Sequence, residues 1–480
     1  MKPEILILMT DQHAANCNGF MGNQIVSTPH LDRLATNGVV FDQAYTSSPI
    51  CVPARVSFMT GINPSHGGWF DNDYAIGDNQ STYMHALTLA GYETVLCGRM
   101  HFVGEDQRHG FTNRIMGDFT ASFPGGHGKR RQSHGPYQLA STGKYCMRVV
   151  GGNDTTPVLE YDEAVVEKAK EYLSSSYEKS QCMVVGLFAP HFPFVAPSEY
   201  YLKYKGIADG PPNEAINFDT HPMYYKYEKA LTDETHVKNA RAAYYGLVEN
   251  IDRQVGELLT AWEEYLKRNH KTGIVVYLSD HGESAGEKDL FGKMNFFDPS
   301  AKIPMIFSGE GIQKGIRISH PVSIIDVGAT LCEIVGASKP PKIDGTSLFH
   351  QVCNGIEDPY REVISEFMEK NDQGALVPGR MIRYSHWKLI RYRGYEDHDL
   401  LFDLQNDPGE TLNLRDERPK EYALLGRMLE NGWDTTRITE QYATYRANIE
   451  MISKWNKHTG KTDEAVWKIS EKARSPIKHK

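Results

Sequence analysis

No apolar run in the chain is long enough to span a bilayer, so no membrane-spanning helix is expected. Positive charge is not in excess either. The net charge of −9 excludes a general nucleic-acid binder. Cysteine is sparse: Cys17, Cys51, Cys97, Cys146, Cys182, Cys332 and Cys353 are odd in number, scattered and without paired metal-type spacing. That pattern excludes a disulfide framework and a zinc knuckle. Internal repeats and low-complexity tracts are missing as well. The opening MKPEILILMTDQH holds a short apolar run and reaches Asp11 without a small-residue cleavage site. It reads as a first strand rather than a signal peptide, and a reducing cytoplasm is the default compartment.

What is present is ordinary globular composition, 40% hydrophobic and 24% charged over 480 residues. A chain of this size can hold one large domain and an appendage. The apolar runs EILILM, ETVLC, CMVVGLF, GIVVYLS and IPMIFS alternate with helical patterns as far as about Gly336. This alternation predicts an α/β fold, a large doubly wound mixed sheet with helices on both faces. From Arg361 the texture changes to EVISEFM, RMIRYSHWKLIRYR and DLLFDL, joined by turn-rich pieces such as QNDPGE. A small antiparallel sheet is expected there, followed from about Pro419 by a polar helical tail. The expected division is a catalytic α/β domain over residues 1–355 and a C-terminal antiparallel sheet subdomain with helical tail over residues 356–480. A polar tail bearing tryptophans cannot easily fold alone, so it is expected to dock on its own chain or to help pair subunits in a homo-oligomer.

In open α/β sheets ligands bind at the carboxyl ends of the strands, and the unusual polar residues recur there. Asp11 and Gln12 follow EILILMT, Arg99 and His101 follow ETVLCG, His191 follows CMVVGLFAP, and Asp280 and His281 follow GIVVYLS. Lys293 lies in the next loop. Asp11, Gln12, Asp280 and His281 offer oxygen and imidazole ligands for a divalent cation, although the two aspartates would equally serve as turn caps. Arg55, Arg99, Lys293, His101 and His191 offer positive charge and titratable nitrogen, which suit a tetrahedral oxyanion and proton transfer to its leaving group. Cys51, in SSPICVPARVSFMTG, stands where a helix begins. It is either a core cysteine or the point on which the others converge.

Cys51-Val52-Pro53-Ala54-Arg55 resembles the C-x-P-x-R signature of the type I sulfatases, in the alkaline phosphatase superfamily. Asp11-Gln12, the GRMH segment ending at His101, His191-x-Pro193, Asp280-His281-Gly282 and GKMNFFD at Lys293 follow in that family's order. Within it, CGRMHFVGEDQRHGF, GKMNFFD and NGWDTTRI are similar to segments of the choline-sulfatase branch. The resemblance implies that a formylglycine-generating maturation enzyme oxidises Cys51 to Cα-formylglycine. It implies one divalent cation, Ca2+ first, held by Asp11, Gln12, residue 51, Asp280 and His281. Because His281 stands where many members have asparagine, Mn2+ and Mg2+ remain open. It further implies that the hydrated aldehyde attacks sulfur to give a covalent sulfate half-ester, with His191 protonating the leaving group and Arg55 steadying the diol. Arg99, where the family commonly has lysine, and Lys293 would hold the sulfate oxygens. His101 would then take the proton that lets the second hydroxyl expel sulfate.

The expected substrate is a small-molecule sulfate ester. The loop RIMGDFTASFPGGHGKRRQSHG offers Phe119 and Phe123 but no tryptophan for an aromatic cage around choline. Lys129, Arg130 and Arg131, with His127 and His134, make it basic. These residues predict a small acidic or sulfated saccharide, with choline-O-sulfate as runner-up, and Asp71, Asn72 and Glu366 join the expected substrate contacts. Glu366, Arg380 and Arg383 fall in strands of the C-terminal sheet, where solvated sheet-face charges are the plain expectation. The competing readings are a phosphodiester or phosphonate monoester hydrolase on the same fold, and a non-catalytic sugar-binding protein. Neither a nucleic acid nor a membrane is expected as a partner.

Overall fold

Strand β1 (Glu4–Asp11) is buried along its whole length, as a run apolar on both faces must be. It lies at the middle of the protein, a computed structural model that describes residues 2–118, 120, 124, 149–210, 221–227 and 233–459. The central sheet also contains β2 (Gly38–Phe41), β4 (Glu93–Gly98), β5 (Asn113–Met116), β7 (Gln181–Pro190), β9 (Gly273–Ser279), β10 (Met305–Gly309) and β11 (Ile316–Ile318). Its strand order is β11-β2-β10-β9-β1-β7-β4-β5. Only β10 runs antiparallel to its neighbours in this sheet, so the sheet is mixed, as expected. Two short pairs flank it, β3 (Ala44–Tyr45) with β12 (Val322–Ser323) and β6 (Val150–Gly152) with β8 (Phe194–Ala196).

Side chains alternate across a strand, and here both faces are covered. Leu6, Leu8, Met183, Val185, Val275 and Tyr277 pack towards the helices Pro157–Leu173 and Glu234–Asn269. Ile5, Ile7, Met9, Cys182, Val184, Val276 and Leu278 pack towards the helices Cys51–Thr60 and Asp326–Val335. Each fully buried aliphatic side chain contributes about 1.5–3 kcal/mol, and this two-sided layer makes the sheet a rigid floor for the loops at its carboxyl edge.

The second sheet, β13 (Glu362–Lys370), β14 (Leu376–Tyr384), β15 (Trp387–Tyr392) and β16 (Leu400–Asp403), is antiparallel throughout. One face packs Val363, Phe367, Met381 and Ile390 against Tyr45, Phe296 and Phe297. The other packs Ile382, Leu389 and Leu401 against Leu425, Leu429, Ile438 and Tyr442 of the tail helices Pro419–Glu430 and Thr435–Thr459. The tail therefore docks on its own chain. Covering both faces overturns one expectation: Glu366, Arg380 and Arg383 are not solvated charges but are 1%, 4% and 1% exposed. Glu366 accepts from Arg380 Nε at 2.7 Å and from the Ser65 N–H at 2.9 Å. Its carboxylate is thus engaged inside the protein, as a tie to the Ser65 turn. Among the described residues no helix is long and apolar enough to cross a membrane.

Candidate active site

Strand register brings the polar residues together. Thr10 pairs with Ser279, so Asp11 and Asp280 leave adjacent parallel strands side by side. Asp11 is level with Pro190, which puts His191 next to it on the other flank. Gly98 pairs with Gly186, which delivers Arg99 from the neighbouring strand. This crossing is tight. A Cβ on Gly98, whose φ is +90°, would lie 2.4 Å from Gly186 O, and a Cβ on Gly186 would lie 1.8 Å from Arg99 O. Only glycine fits at either place.

Cys51 is the first residue of a helix buried over all ten residues, Cys51–Thr60. Pro53 lies in its first turn, where a missing N–H costs nothing. Ile50 offers no side-chain cap, and Asn72 Oδ1 takes the Val52 N–H instead, at 2.9 Å. The unsatisfied N–H groups and dipole of such a terminus favour an anion in front of it.

Around the Cys51 sulfur stand Lys293 Nζ at 2.8 Å, His281 Nε2 at 3.3 Å and Asp11 Oδ1 at 3.7 Å. Lys293 Nζ also donates to Gln12 Oε1 at 2.9 Å. Arg55 holds the far oxygens of both aspartates, Asp11 Oδ2 at 3.1 Å and Asp280 Oδ2 at 2.8 Å. Asp11, Cys51, Asp280 and His281 keep ligand atoms within 4.8 Å of one another, all buried. His281 Nδ1–H donates to Gly282 O at 3.0 Å, leaving the Nε2 lone pair for the cluster. Burial, offset in part by Asp280, pushes its imidazole down to about 4, so it is neutral, as a ligand must be. Two carboxylates, a neutral imidazole and the oxygen that replaces sulfur in a formylglycine hydrate make a donor set that fits one divalent cation. Gln12 stands at the rim, its carbonyl on Lys293 and its amide on Glu283.

Burial, with Asp11 adding to it, pushes the Cys51 thiol up although Lys293 opposes them. A thiol held protonated is a poor nucleophile. Burial alone would raise Asp11, but Arg99, His191, Lys293 and Arg55 override it and hold the carboxyl well below the usual range. His191 Nε2 stands 4.0 Å from Asp11 Oδ1, and burial and then Lys293 drive its imidazole well down.

Arg99 reaches this cluster from its own strand. Its Nε donates to Asp11 Oδ2 at 2.5 Å, Nη1 to Asp118 Oδ1 at 3.3 Å, and Nη2 meets His101 Nδ1 at 3.0 Å. Each of the three nitrogens has a partner inside the protein, so Arg99 orients Asp11 and His101, while Lys293 faces residue 51 directly. Asp118, unnoticed in the sequence, holds this arrangement: its Oδ2 also accepts the His101 N–H at 3.0 Å. Its position after β5, at the same sheet edge, was the available signal. Gln12, His101 and Met294 adopt φ of 70°, 56° and 71°, a left-handed backbone that costs about 1–3 kcal/mol per residue and clusters at functional sites. Of the expected substrate contacts, Asn72 reaches the Cys51 helix, whereas Asp71 turns to Tyr442 and Arg446. Lys129, Arg130 and Arg131, with Phe119, Phe123, His127 and His134, lie outside the described residues.

Two family models match the chain, the sulfatase model over residues 3–337 and that of the N-sulphoglucosamine sulphohydrolase C-terminal region over residues 286–436. A choline-sulfatase of Rhizobium meliloti (strain 1021) is 33% identical over 440 residues, covering 87% of this chain and 83% of the relative. Human arylsulfatase K is 28% identical over 491 residues, covering 95% and 87%. Among solved structures, a protein in complex with its substrate D-glucosamine-2-N,6-O-disulfate superposes with a TM-score of 0.71 at 20% identity, covering 92% of this chain and 99% of the other. The phosphonate monoester hydrolase of Agrobacterium radiobacter superposes with a TM-score of 0.72 at 20% identity, covering 94% and 96%. These two likenesses bear on the fold.

Proposed function

The chain belongs to the sulfatase family and is a sulfuric ester hydrolase, and from that premise we propose that it acts through a formylglycine at position 51 on a small sulfated, acidic saccharide. The observation that carries the reading is the convergence of Lys293 Nζ, His281 Nε2 and Asp11 Oδ1 on the Cys51 sulfur at a helix N-terminus. A maturation enzyme would convert the inert thiol before turnover. Formylglycine supplies, as its hydrate, one hydroxyl to attack sulfur and a second whose deprotonation releases sulfate. The cation, Ca2+ first with Mn2+ and Mg2+ open, would be held by Asp11, residue 51, Asp280 and His281, with Gln12 at its rim. When bound it supplies Lewis acidity at the sulfate oxygens.

The chain's own residues do the rest. Lys293 and the helix N-terminus bind the anionic sulfate, and Arg55 fixes both aspartates. His191, beside Asp11, gives the leaving alkoxide its proton; an anionic ester bound in front of it raises its hold on that proton. Arg99 and Asp118 aim His101 as the base for the second step. The basic Lys129-Arg130-Arg131 run supports an acidic saccharide, with Asn72 on the leaving-group side. This apparatus falls within residues 1–355, and residues 356–480 brace it.

Mass spectrometry of the residue-51 peptide tests the modification, with formylglycine expected in active protein. A substrate panel tests the rest: sulfated uronic-acid disaccharides, neutral sulfated monosaccharides, choline-O-sulfate and paired aryl sulfate and aryl phosphate esters. Preference for choline-O-sulfate, unaffected by Lys129/Arg130/Arg131→Ala, would replace the saccharide with choline. Preference for the aryl phosphate would overturn the sulfate assignment.

A further inference from the structure

The segment Trp69–Tyr74 runs as a strap between two helices far apart in sequence. On one side it holds the helix that begins at residue 51. Trp69 Nε1 donates to Ser57 Oγ at 2.8 Å, and Asn72 Oδ1 accepts the Val52 N–H at 2.9 Å. On the other side it is held by the tail helix Thr435–Thr459. Tyr442 OH donates to Asp71 Oδ2 at 2.9 Å, and Arg446 Nη1 donates to Asp71 Oδ2 at 2.7 Å and Asp73 Oδ2 at 2.9 Å. Ring pairs reinforce the grip, Phe70 with Tyr442 at 5.9 Å and Tyr74 with Tyr445 at 5.6 Å.

Residues face the two helices in turn, 69 and 72 inward, 70, 71 and 73 outward. The strap therefore transmits a constraint. The first-turn N–H groups of a helix have no intrahelical acceptor, and Ile50 supplies no cap, so the first turn depends on Asn72 for this bond. Asn72 in turn is fixed by its neighbours Asp71 and Asp73, two like charges that stay together because Arg446 lies between them. Without Arg446 they repel, and the strap loses the charged part of its outer anchor.

We propose that the helix Thr435–Thr459 is a working part of the active site, with Tyr442 and Arg446 as positioning residues that fix residue 51 through the strap and Asn72. The inference rests on reading residue 51 as the reacting position.

The test compares wild type with Tyr442→Phe/Arg446→Met, using Ile449→Ala as a control that removes a buried side chain of the same helix but no polar contact with the strap. Hydrogen exchange of the peptide containing Val52 should quicken in the double variant and not in the control. For a sulfate ester the wild type cleaves, kcat per metal-loaded site should fall about 10- to 100-fold, the scale of a small misplacement of reacting groups. KM should rise several-fold, which a smaller folded fraction cannot produce. Arg446→Lys, which keeps a cation, should recover part of both. If the double variant does not fold, Tyr442→Phe alone carries the same readouts. Unchanged Val52 exchange, or faster exchange with unchanged kcat and KM, overturns the proposal. If wild type cleaves no sulfate ester, the proposed function fails, and unchanged exchange still decides against the strap.

Discussion

Replacing Arg55 by methionine should weaken the metal-free protein and enlarge its response to a divalent cation. The guanidinium is 1% exposed and holds Asp11 Oδ2 at 3.1 Å and Asp280 Oδ2 at 2.8 Å. Methionine keeps much of the volume and none of the charge. Asp11 and Asp280 would then face each other with ligand atoms within 4.8 Å, where two unit charges repel by about 3.5 kcal/mol at an effective dielectric of about 20. Removing one partner of a buried ion pair costs about 3–5 kcal/mol by experience elsewhere. Arg99 and Lys293 stay close to Asp11, which places the loss at the lower end, about 3 kcal/mol. A divalent cation restores what was removed. In the wild type Arg55 shares both carboxylates with the ion, whereas in the variant the ion meets them unshared and should bind more tightly. An ion at about 100 times its Kd adds about 2.7 kcal/mol of stability, and each tenfold gain in affinity adds about 1.4 kcal/mol more. Thermal melting in excess chelator and in titrated Ca2+ or Mn2+ reads both quantities. The variant should melt lower in chelator, show the larger metal-induced rise, and hydrolyse no sulfate ester. Equal melting points in chelator, or a smaller metal-induced rise, would refute the compensating role of Arg55.

Gly186→Ala should lose most activity and melt lower. Its Cβ would lie 1.8 Å from Arg99 O, beyond the about 1–3 kcal/mol of ordinary overpacking, and wild-type kinetics would show that the crossing is not tight. Cys51→Ala should keep the fold and the bound metal ion while losing turnover, so sustained multiple turnover by this variant would sink the formylglycine reading. The hydrogen bond from His66 Nδ1 to Asp344 at 2.8 Å raises the imidazole above its ordinary value. Its stabilisation is therefore complete below the unfolded value of about 6.5 and is lost as pH rises through the folded value. Because the pair is partly exposed, the urea-melting gap between wild type and His66→Ala should be under about 1 kcal/mol near pH 6 and narrower near pH 9; a gap that widens with pH would contradict the assignment.

Asp11, Arg99, His191 and Asp280 can be read from the sequence because strand patterning is local and puts a definite residue at each strand's end. Which of their atoms face residue 51 cannot. The fork of Arg99 is turned inward by Asp118, a residue delivered by another strand and visible as a partner only once β4 and β5 are paired. The burial of Glu366 and Arg380 depends on what covers the outer face of their sheet, and the covering helices begin only at Pro419; Arg383 lies on the other face, where its Nε donates to Tyr45 Oη at 2.9 Å.

The apolar layer beneath β13–β16 mixes Tyr45, Phe296, Phe297 and Ala301 with Val363, Phe367, Met381 and Phe402, so it lies across the point near residue 355 where the chain changes texture. For anyone shortening the gene, that point is a poor place to cut. A fragment ending there would present half a core to solvent, a contiguous apolar surface of the kind that drives aggregation. The complementary fragment would lack the aromatic floor on which its sheet is laid, so the two stretches should express well only when joined.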